Sequence, residues 1–81
     1  MSKPSETQKR KLRKLLRDLR EEAGLRQVDV ATRMKRPQSF VSKYESGEMS
    51  LGFLEVKQLS RILGVSFADF VRRYEEGEDE S

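Results

Sequence analysis

Apolar residues recur every three or four positions along most of the chain, which is the period of an α-helix with one buried face. The most regular run is made by Leu12, Leu15, Leu16, Leu19 and Ala23. Ser5 and Gln8, before this run, fit a capping box, and Gly24, after it, fits a helix terminator. The pattern therefore predicts a first helix that opens at Ser5 and stops before Gly24.

The same period predicts four further helices, over residues 27–34, 37–46 and 53–63, with the last beginning at the capping pair Ser66 and Asp69. Their inward-facing residues are expected to be Val30, Ala31 and Met34, then Phe40, Val41 and Tyr44, then Val56, Leu59, Ile62 and Leu63, and finally Phe67, Phe70, Val71 and Tyr74. No segment shows the alternation of a strand convincingly. The expected fold is all-α.

In domain terms, residues 1–6 are predicted to be a flexible N-terminal arm, residues 7–75 a single domain and residues 76–81 a disordered acidic tail. A chain of 81 residues buries only a small core, so dimerisation would help to stabilise it. No internal repeat or second domain is visible.

The third predicted helix has two faces of different chemistry. Each helical residue advances by about 100°, which puts the apolar positions on one arc. The other arc carries Gln38, Ser39, Ser42 and Lys43. Amide, hydroxyl and ammonium groups suit the base edges and phosphates of DNA. The pattern thus favours a helix with one side packed in the core and the other side exposed to contact DNA.

The composition argues against several classes of function. The chain has no Cys and no His, so it offers no disulfide, no thiolate metal site and no pairing of a nucleophile with an imidazole base. We expect no enzyme activity, no cofactor and no metal, and nothing points to a small-molecule ligand. The first eleven residues lack the apolar centre of a secretory signal, and no run is long enough for a membrane span. A cytoplasmic protein is expected.

Charge is distributed unevenly. Residues 1–43 carry 13 Lys and Arg against 5 Asp and Glu, a balance of +8, whereas residues 44–81 carry 4 against 9, a balance of −5. Such a split suggests a front half that binds a polyanion. Two alternatives stay open. The basic residues of the first helix are equally consistent with an ordinary solvated face, and a membrane-surface role is the less favoured option because that helix has no aromatic anchor.

The starts of the second and third helices lack the usual cap. They fall at Arg26 and Arg36, whose side chains have no oxygen to accept the unpaired backbone N–H groups. A DNA phosphate would satisfy these donors and would be attracted by the neighbouring cations. Water at an exposed terminus would do the same, so phosphate binding is the favoured interpretation and not the only one.

The segment that joins these features is LRQVDVATRMKRPQSFVSKYESGE. It resembles the helix-turn-helix of the Cro and phage-repressor family, the XRE-like regulators. The likeness rests on Leu25, Gln27, Val30, Ala31, Gln38, Ser39, Val41, Ser42, Glu45 and Gly47, and extends through Leu63-Gly64-Val65-Ser66. The resemblance implies a five-helix, lambda-repressor-like DNA-binding domain that works as a two-fold dimer with its third helix in the major groove.

Carried onto this chain, the resemblance assigns base contacts to Gln38, Ser39, Ser42 and Lys43. Gln38 would pair with adenine N6 and N7, and Lys43 would reach guanine O6 and N7 or a phosphate. Gln27 would contact a phosphate and support Gln38, and a structural ion pair would join Arg20 to Glu45. The expected phosphate contacts are Gln27, Arg26, Arg17, Lys35 and Arg36. The alternative for Gln38, Lys43 and Arg17 is plain solvent exposure.

Three positions depart from the family pattern. Lys35 stands where the turn usually has Gly, so it is expected to adopt a left-handed conformation. Pro37 removes a backbone N–H that faces phosphate in relatives, and it suits a first helical position. Phe40 replaces a residue that is often polar; its ring either packs near Met49 and Leu51, which we favour, or reaches a thymine methyl.

A dimer interface is suggested by apolar residues beyond those that the fourth helix needs for its buried side, namely Leu51, Phe53 and Leu54. The alternative is that they belong to the core. The function expected is a sequence-specific regulator that binds double-stranded DNA, a repressor with an inverted-repeat operator. Two other functions are an antitoxin or restriction-modification controller, with a possible protein partner on the C-terminal half, and an interaction module that does not read DNA sequence.

Overall fold

In the computed structural model, residues 5–77 are described, and they form five α-helices and no strand. The helices are α1 Glu6–Glu22, α2 Gln27–Met34, α3 Gln38–Ser46, α4 Phe53–Ile62 and α5 Phe67–Glu76. The all-α prediction is confirmed. Residues 1–4 and 78–81 lie outside the described part, so the arm and the tail stay predictions there, although α1 already includes Glu6 and α5 extends to Glu76.

Side-chain caps fix the starts of the first and last helices. The hydroxyl of Ser5 accepts the backbone N–H of Gln8 at 3.1 Å, and the Gln8 side chain accepts the Ser5 N–H at 3.0 Å. Ser66 accepts the N–H of Asp69 at 3.1 Å. Both predicted caps are confirmed. By contrast, Pro37 has an extended backbone, with ψ of 154°, and is the N-cap of α3 rather than its first helical residue.

The core is assembled from all five helices. Its buried members are Leu16, Leu19, Val30, Ala31, Met34, Phe40, Val41, Tyr44, Val56, Leu59, Leu63 and Phe70. Within it, α2 and α3 pack closely, and Ala31 of α2 is buried with only a methyl side chain. The inward edge of α3 is thereby held along its length, which fixes the direction of its outward edge.

Phe40 belongs to this core. Its side chain is 6% exposed, and its ring meets Tyr44 edge to face with centroids 5.6 Å apart. The guanidinium of Arg36 lies 4.7 Å from the centre of the same ring, a cation–π contact. These contacts with Tyr44 and Arg36 support the interpretation that the ring packs in the core. Little of its surface is left to contact a thymine methyl.

The turn between α2 and α3 contains a strained residue. Lys35 has φ of 58° and ψ of 42°, the left-handed region, and it is the one non-glycine residue with positive φ among residues 5–77. The left-handed conformation predicted for Lys35 is therefore confirmed. For a residue with a Cβ this conformation costs roughly 1–2 kcal/mol.

Replacing Lys35 by glycine should raise the free energy of unfolding by about 1 kcal/mol, because glycine adopts this conformation without the steric penalty. The measurement is the midpoint of urea unfolding at an unchanged slope. Lys35→Ala is the matched control, since it removes the same charge but keeps the Cβ. An equal gain in both variants would assign the effect to charge and contradict the backbone explanation.

Candidate nucleic-acid interface

The outward edge of α3 is polar and open. Gln38, Ser39, Ser42 and Lys43 are all exposed, while Phe40, Val41 and Tyr44 face the core. The structure thus brings the four predicted base-reading residues to one edge of one helix. No carboxylate among residues 5–77 pairs with Lys43, so its ammonium is available to a ligand.

The cations predicted to contact phosphate lie at the start of α2, in the turn before α3 and on α1. Arg26 is the N-cap of α2, and Lys35 and Arg36 lie in the turn that leads into α3. Arg17 is exposed on α1, where its Nε donates to Glu21 at 2.9 Å. The side chain of neither N-cap residue, Arg26 for α2 or Pro37 for α3, accepts a backbone N–H of its helix. The sequence indicated this for α2. For α3 it indicated Arg36 as the cap, whereas the cap is Pro37.

Arg26 is held by Asp29, a residue with no role predicted from the sequence. Its Nε and Nη2 donate to the two carboxylate oxygens at 3.1 and 3.0 Å, and its backbone N–H donates to the same group at 2.8 Å. These hydrogen bonds lower the pKa of Asp29 to about 2 and raise the pKa of Arg26. The sequence pattern that could have predicted this ion pair is the spacing of three residues between Arg26 and Asp29 at the start of a helix.

Arg36 is held by Glu55 on α4. The Nη2 of Arg36 lies 3.4 Å from a Glu55 oxygen, and the other oxygen of that carboxylate accepts the backbone N–H of Gly52 at 2.9 Å. Nineteen residues separate the pair, so no local pattern signals it. Together with the contact to Phe40, this ion pair fixes the guanidinium against the protein surface.

Beneath the interface, Arg20 of α1 and Glu45 of α3 form a two-pronged ion pair. The Nε and Nη2 of Arg20 donate to Glu45 at 2.8 and 3.1 Å, and the two side chains are 13% and 6% exposed. The Nη1 group also donates to the carbonyl of Leu25 at 2.9 Å. The hydrogen bonds that Arg20 donates to Glu45 raise the pKa of Arg20.

Gln27 joins the same carboxylate. Its Nε2 donates to Glu45 at 3.1 Å, so one acceptor on α3 holds residues from both α1 and α2. Among residues 5–77 no hydrogen bond links Gln27 to Gln38. Support of Gln38 by Gln27 therefore stays a prediction, to be examined with DNA bound.

The three residues expected at a dimer interface have different environments. Leu51 is half-buried and packs against the core, whereas Phe53 and Leu54 are 68% and 74% exposed. The Phe53 ring meets Phe67 edge to face at 5.1 Å. Beside it lies a groove of about 530 Å³ between α1, α5 and the segment before α4. The groove walls include Leu12, Leu51, Phe53, Phe70, Val71 and Tyr74.

Comparison with known proteins places this arrangement in a family. The sequence model of the helix-turn-helix family matches residues 16–70, which include all of α2, α3 and α4. The chain belongs to the XRE-type helix-turn-helix family. Proteins of this class are DNA-binding regulators of transcription and are typically not enzymes.

Solved structures agree with this assignment. An XRE-family-like protein from Pseudomonas syringae pv. tomato str. DC3000 is 35% identical to this XRE-type chain, with a TM-score of 0.79 over 84% of this chain and 83% of the other. The restriction-modification controller protein C.Esp1396I is 20% identical, with a TM-score of 0.80 over 90% of this chain and 95% of the other.

The tetramer of the same controller in complex with its natural 35 base-pair operator matches with a TM-score of 0.79, at 20% identity and the same coverage of both chains, 90% and 95%. At that identity the two controller structures show a shared fold. No curated protein matches this XRE-type chain. Among residues 5–77, no helix is both long enough and apolar enough to cross a membrane.

Proposed function

We propose that this protein is a sequence-specific transcriptional repressor that binds a short inverted-repeat operator as a dimer. The observation that carries the proposal is the division of α3. Its inner edge is fixed in the core, its outer edge exposes four polar side chains, and the turn that leads into it carries Lys35 and Arg36. A helix presented in this way can enter the major groove while the flanking cations contact the two backbones.

Within this proposal the contacts have separate roles. Gln38, at the start of α3, pairs with adenine through its amide, and Lys43 donates to guanine or to a nearby phosphate. Ser39 and Ser42 add hydrogen bonds to base edges or phosphate. The phosphate contacts come from Arg17, Arg26, Gln27, Lys35 and Arg36, which fix the register but carry little sequence information.

The proposed dimer uses the exposed apolar residues at the start of α4. Phe53 and Leu54 together form an apolar surface next to the groove, and a second copy of the chain would remove both from water. Two α3 helices related by a two-fold axis and about 34 Å apart would then read half-sites one helical turn apart.

Leu54→Glu should weaken dimerisation by at least about tenfold, because a carboxylate would have to be buried in the interface; tenfold corresponds to about 1.4 kcal/mol. The monomer should keep its fold, since the native side chain is 74% exposed. Sedimentation equilibrium gives the dimer constant. Val28→Glu, at a 38% exposed position on α2, is the control. Equal dimer constants in the two variants would place the interface elsewhere.

The test of the whole proposal is selection of bound duplexes from a random DNA pool at about 0.15 M salt, where sequence-independent binding is already weakened. Enrichment of an inverted repeat with half-sites about one turn apart is the expected result. Recovery of DNA with no common sequence would favour an interaction module that has the fold but does not read bases.

A second candidate is a controller of restriction-modification genes, favoured by the similarity of fold to C.Esp1396I over 90% of this chain. The interface with DNA would be the same, and the target genes would differ. The genes next to the one that encodes this protein distinguish the two candidates: a neighbouring endonuclease and methyltransferase would support the controller.

A further inference from the structure

The cations of α2, α3 and the turn between them that are expected to contact DNA fall into two groups. Arg26 and Arg36 each have a carboxylate partner, Asp29 and Glu55. Lys35 and Lys43 have none among residues 5–77. We propose that Asp29 and Glu55 compete with DNA phosphate for the two guanidinium groups and so limit the sequence-independent affinity of the protein. This inference rests on the proposed function, because it requires both arginines to face DNA.

The geometry at Arg26 carries the argument. Asp29 occupies the edge formed by Nε and Nη2, which is an edge that a phosphate would use for two parallel hydrogen bonds. A phosphate must therefore displace the carboxylate or accept the remaining N–H groups of a pair with no net charge. In either case Arg26 releases fewer condensed counterions from DNA than a free cation would.

Glu55, which belongs to α4, competes with phosphate for Arg36 in the same way. Its ion pair, 3.4 Å long, is supported by the hydrogen bond from Gly52, which holds the carboxylate in place. Arg36 also lies over the Phe40 ring, which holds the guanidinium in place, so a phosphate competes with Glu55 for the N–H groups in its plane. The two competing carboxylates belong to different helices, Asp29 to α2 and Glu55 to α4.

Stabilisation of α2 is the other role open to Asp29, because it accepts the N–H of its N-cap residue. The substitution Asp29→Asn separates the two roles. An amide oxygen still accepts that N–H, while the negative charge that holds the guanidinium is removed. Glu55→Gln does the same at the second pair and provides an independent variant.

The chain offers a closely matched control. Asp69 pairs with Arg72 at 3.1 Å with the same spacing of three residues, but on α5, which packs against α1 and α4. Asp69→Asn changes the net charge by the same amount, and a charge more than a Debye length of about 8 Å from DNA is largely screened. Affinity for the selected operator and for a random duplex is measured by fluorescence anisotropy across a salt series.

Asp29→Asn should tighten binding to both duplexes by about three- to sixfold at 0.15 M salt and steepen the salt dependence by up to about 0.9 of a unit, the value for one complete phosphate contact. Glu55→Gln should act in the same direction, and Asp69→Asn should change affinity by less than about twofold. In an Arg26→Ala background the gain from Asp29→Asn should shrink, because no guanidinium is left to be released.

Three results would overturn the inference. Weaker operator binding by Asp29→Asn would mean that the carboxylate orients Arg26 for DNA. An equal gain from Asp69→Asn would assign the effect to net charge. An undiminished gain without Arg26 would mean that Asp29 repels DNA directly. A wild-type protein that selects no operator overturns the proposed function instead, so the two failures are distinguishable.

Discussion

Glu45→Ala should lower the free energy of unfolding by about 3 kcal/mol, because it leaves the largely buried guanidinium of Arg20 without its counter-charge. Arginine cannot relieve this cost by losing its proton. The substitution also removes the acceptor of Gln27, so the hydrogen bonds that join α3 to α1 and to α2 through Glu45 are lost. A loss of this size is more than half of the roughly 5 kcal/mol that a marginally stable domain possesses.

Urea unfolding followed by circular dichroism measures this loss, and the chain supplies its own comparison. Glu21 pairs with Arg17 at 2.9 Å, but the two side chains are 54% and 63% exposed. Glu21→Ala breaks an arginine–glutamate pair in water and should cost no more than about 0.5 kcal/mol. Glu45→Gln should lie between the two, since it keeps an acceptor but not the charge. Similar losses for Glu45→Ala and Glu21→Ala would show that burial adds nothing to the pair.

Gln38→Ala should weaken binding to the selected operator by about 1 to 3 kcal/mol and relax the base preference at one position of each half-site. The reason is that the proposed pair of hydrogen bonds from the amide to adenine would be lost, and alanine has no group to replace them. The stability of the fold should be nearly unchanged, because Gln38 is exposed and makes no contact that the core requires. Repeating the duplex selection with the variant measures both effects.

Arg26→Ala provides the contrast. A phosphate contact does not distinguish sequences, so this variant should bind operator and random duplexes less tightly by the same factor and flatten the salt slope by at most about one unit. The base preference should remain that of the wild type. If the two variants changed affinity and preference in the same way, the division between base-reading and phosphate-contacting residues would be wrong.

The sequence predicted those parts of the fold that local patterns determine. The apolar period of α1, the cap at Ser5 and the two faces of α3 each depend on residues within a few positions of one another. The family resemblance also anticipated the left-handed conformation of Lys35, because a glycine position was occupied by lysine. The start of α3 was misplaced by one residue, since Pro37 is compatible both with a first helical turn and with the cap before it.

Contacts between distant segments were not predictable in the same way. The ion pair of Arg36 with Glu55 requires the turn before α3 to meet α4, and the hydrogen bond of Gln27 to Glu45 requires the packing of α2 on α3. Neither contact produces a periodic pattern in the sequence from which it could be predicted. Burial of Phe40 was favoured in advance, but the guanidinium of Arg36 over its ring came only from the three-dimensional arrangement.

The separation of the two edges of α3 has a consequence for how such a protein can change over time. The four outward side chains contribute nothing to the hydrophobic core or to the buried ion pair beneath it. Exchanges at exposed sites of this kind usually alter stability by less than about 0.5 kcal/mol. If the protein reads DNA as proposed, new operator preferences are therefore accessible, by drift or by design, through single substitutions that leave the scaffold intact.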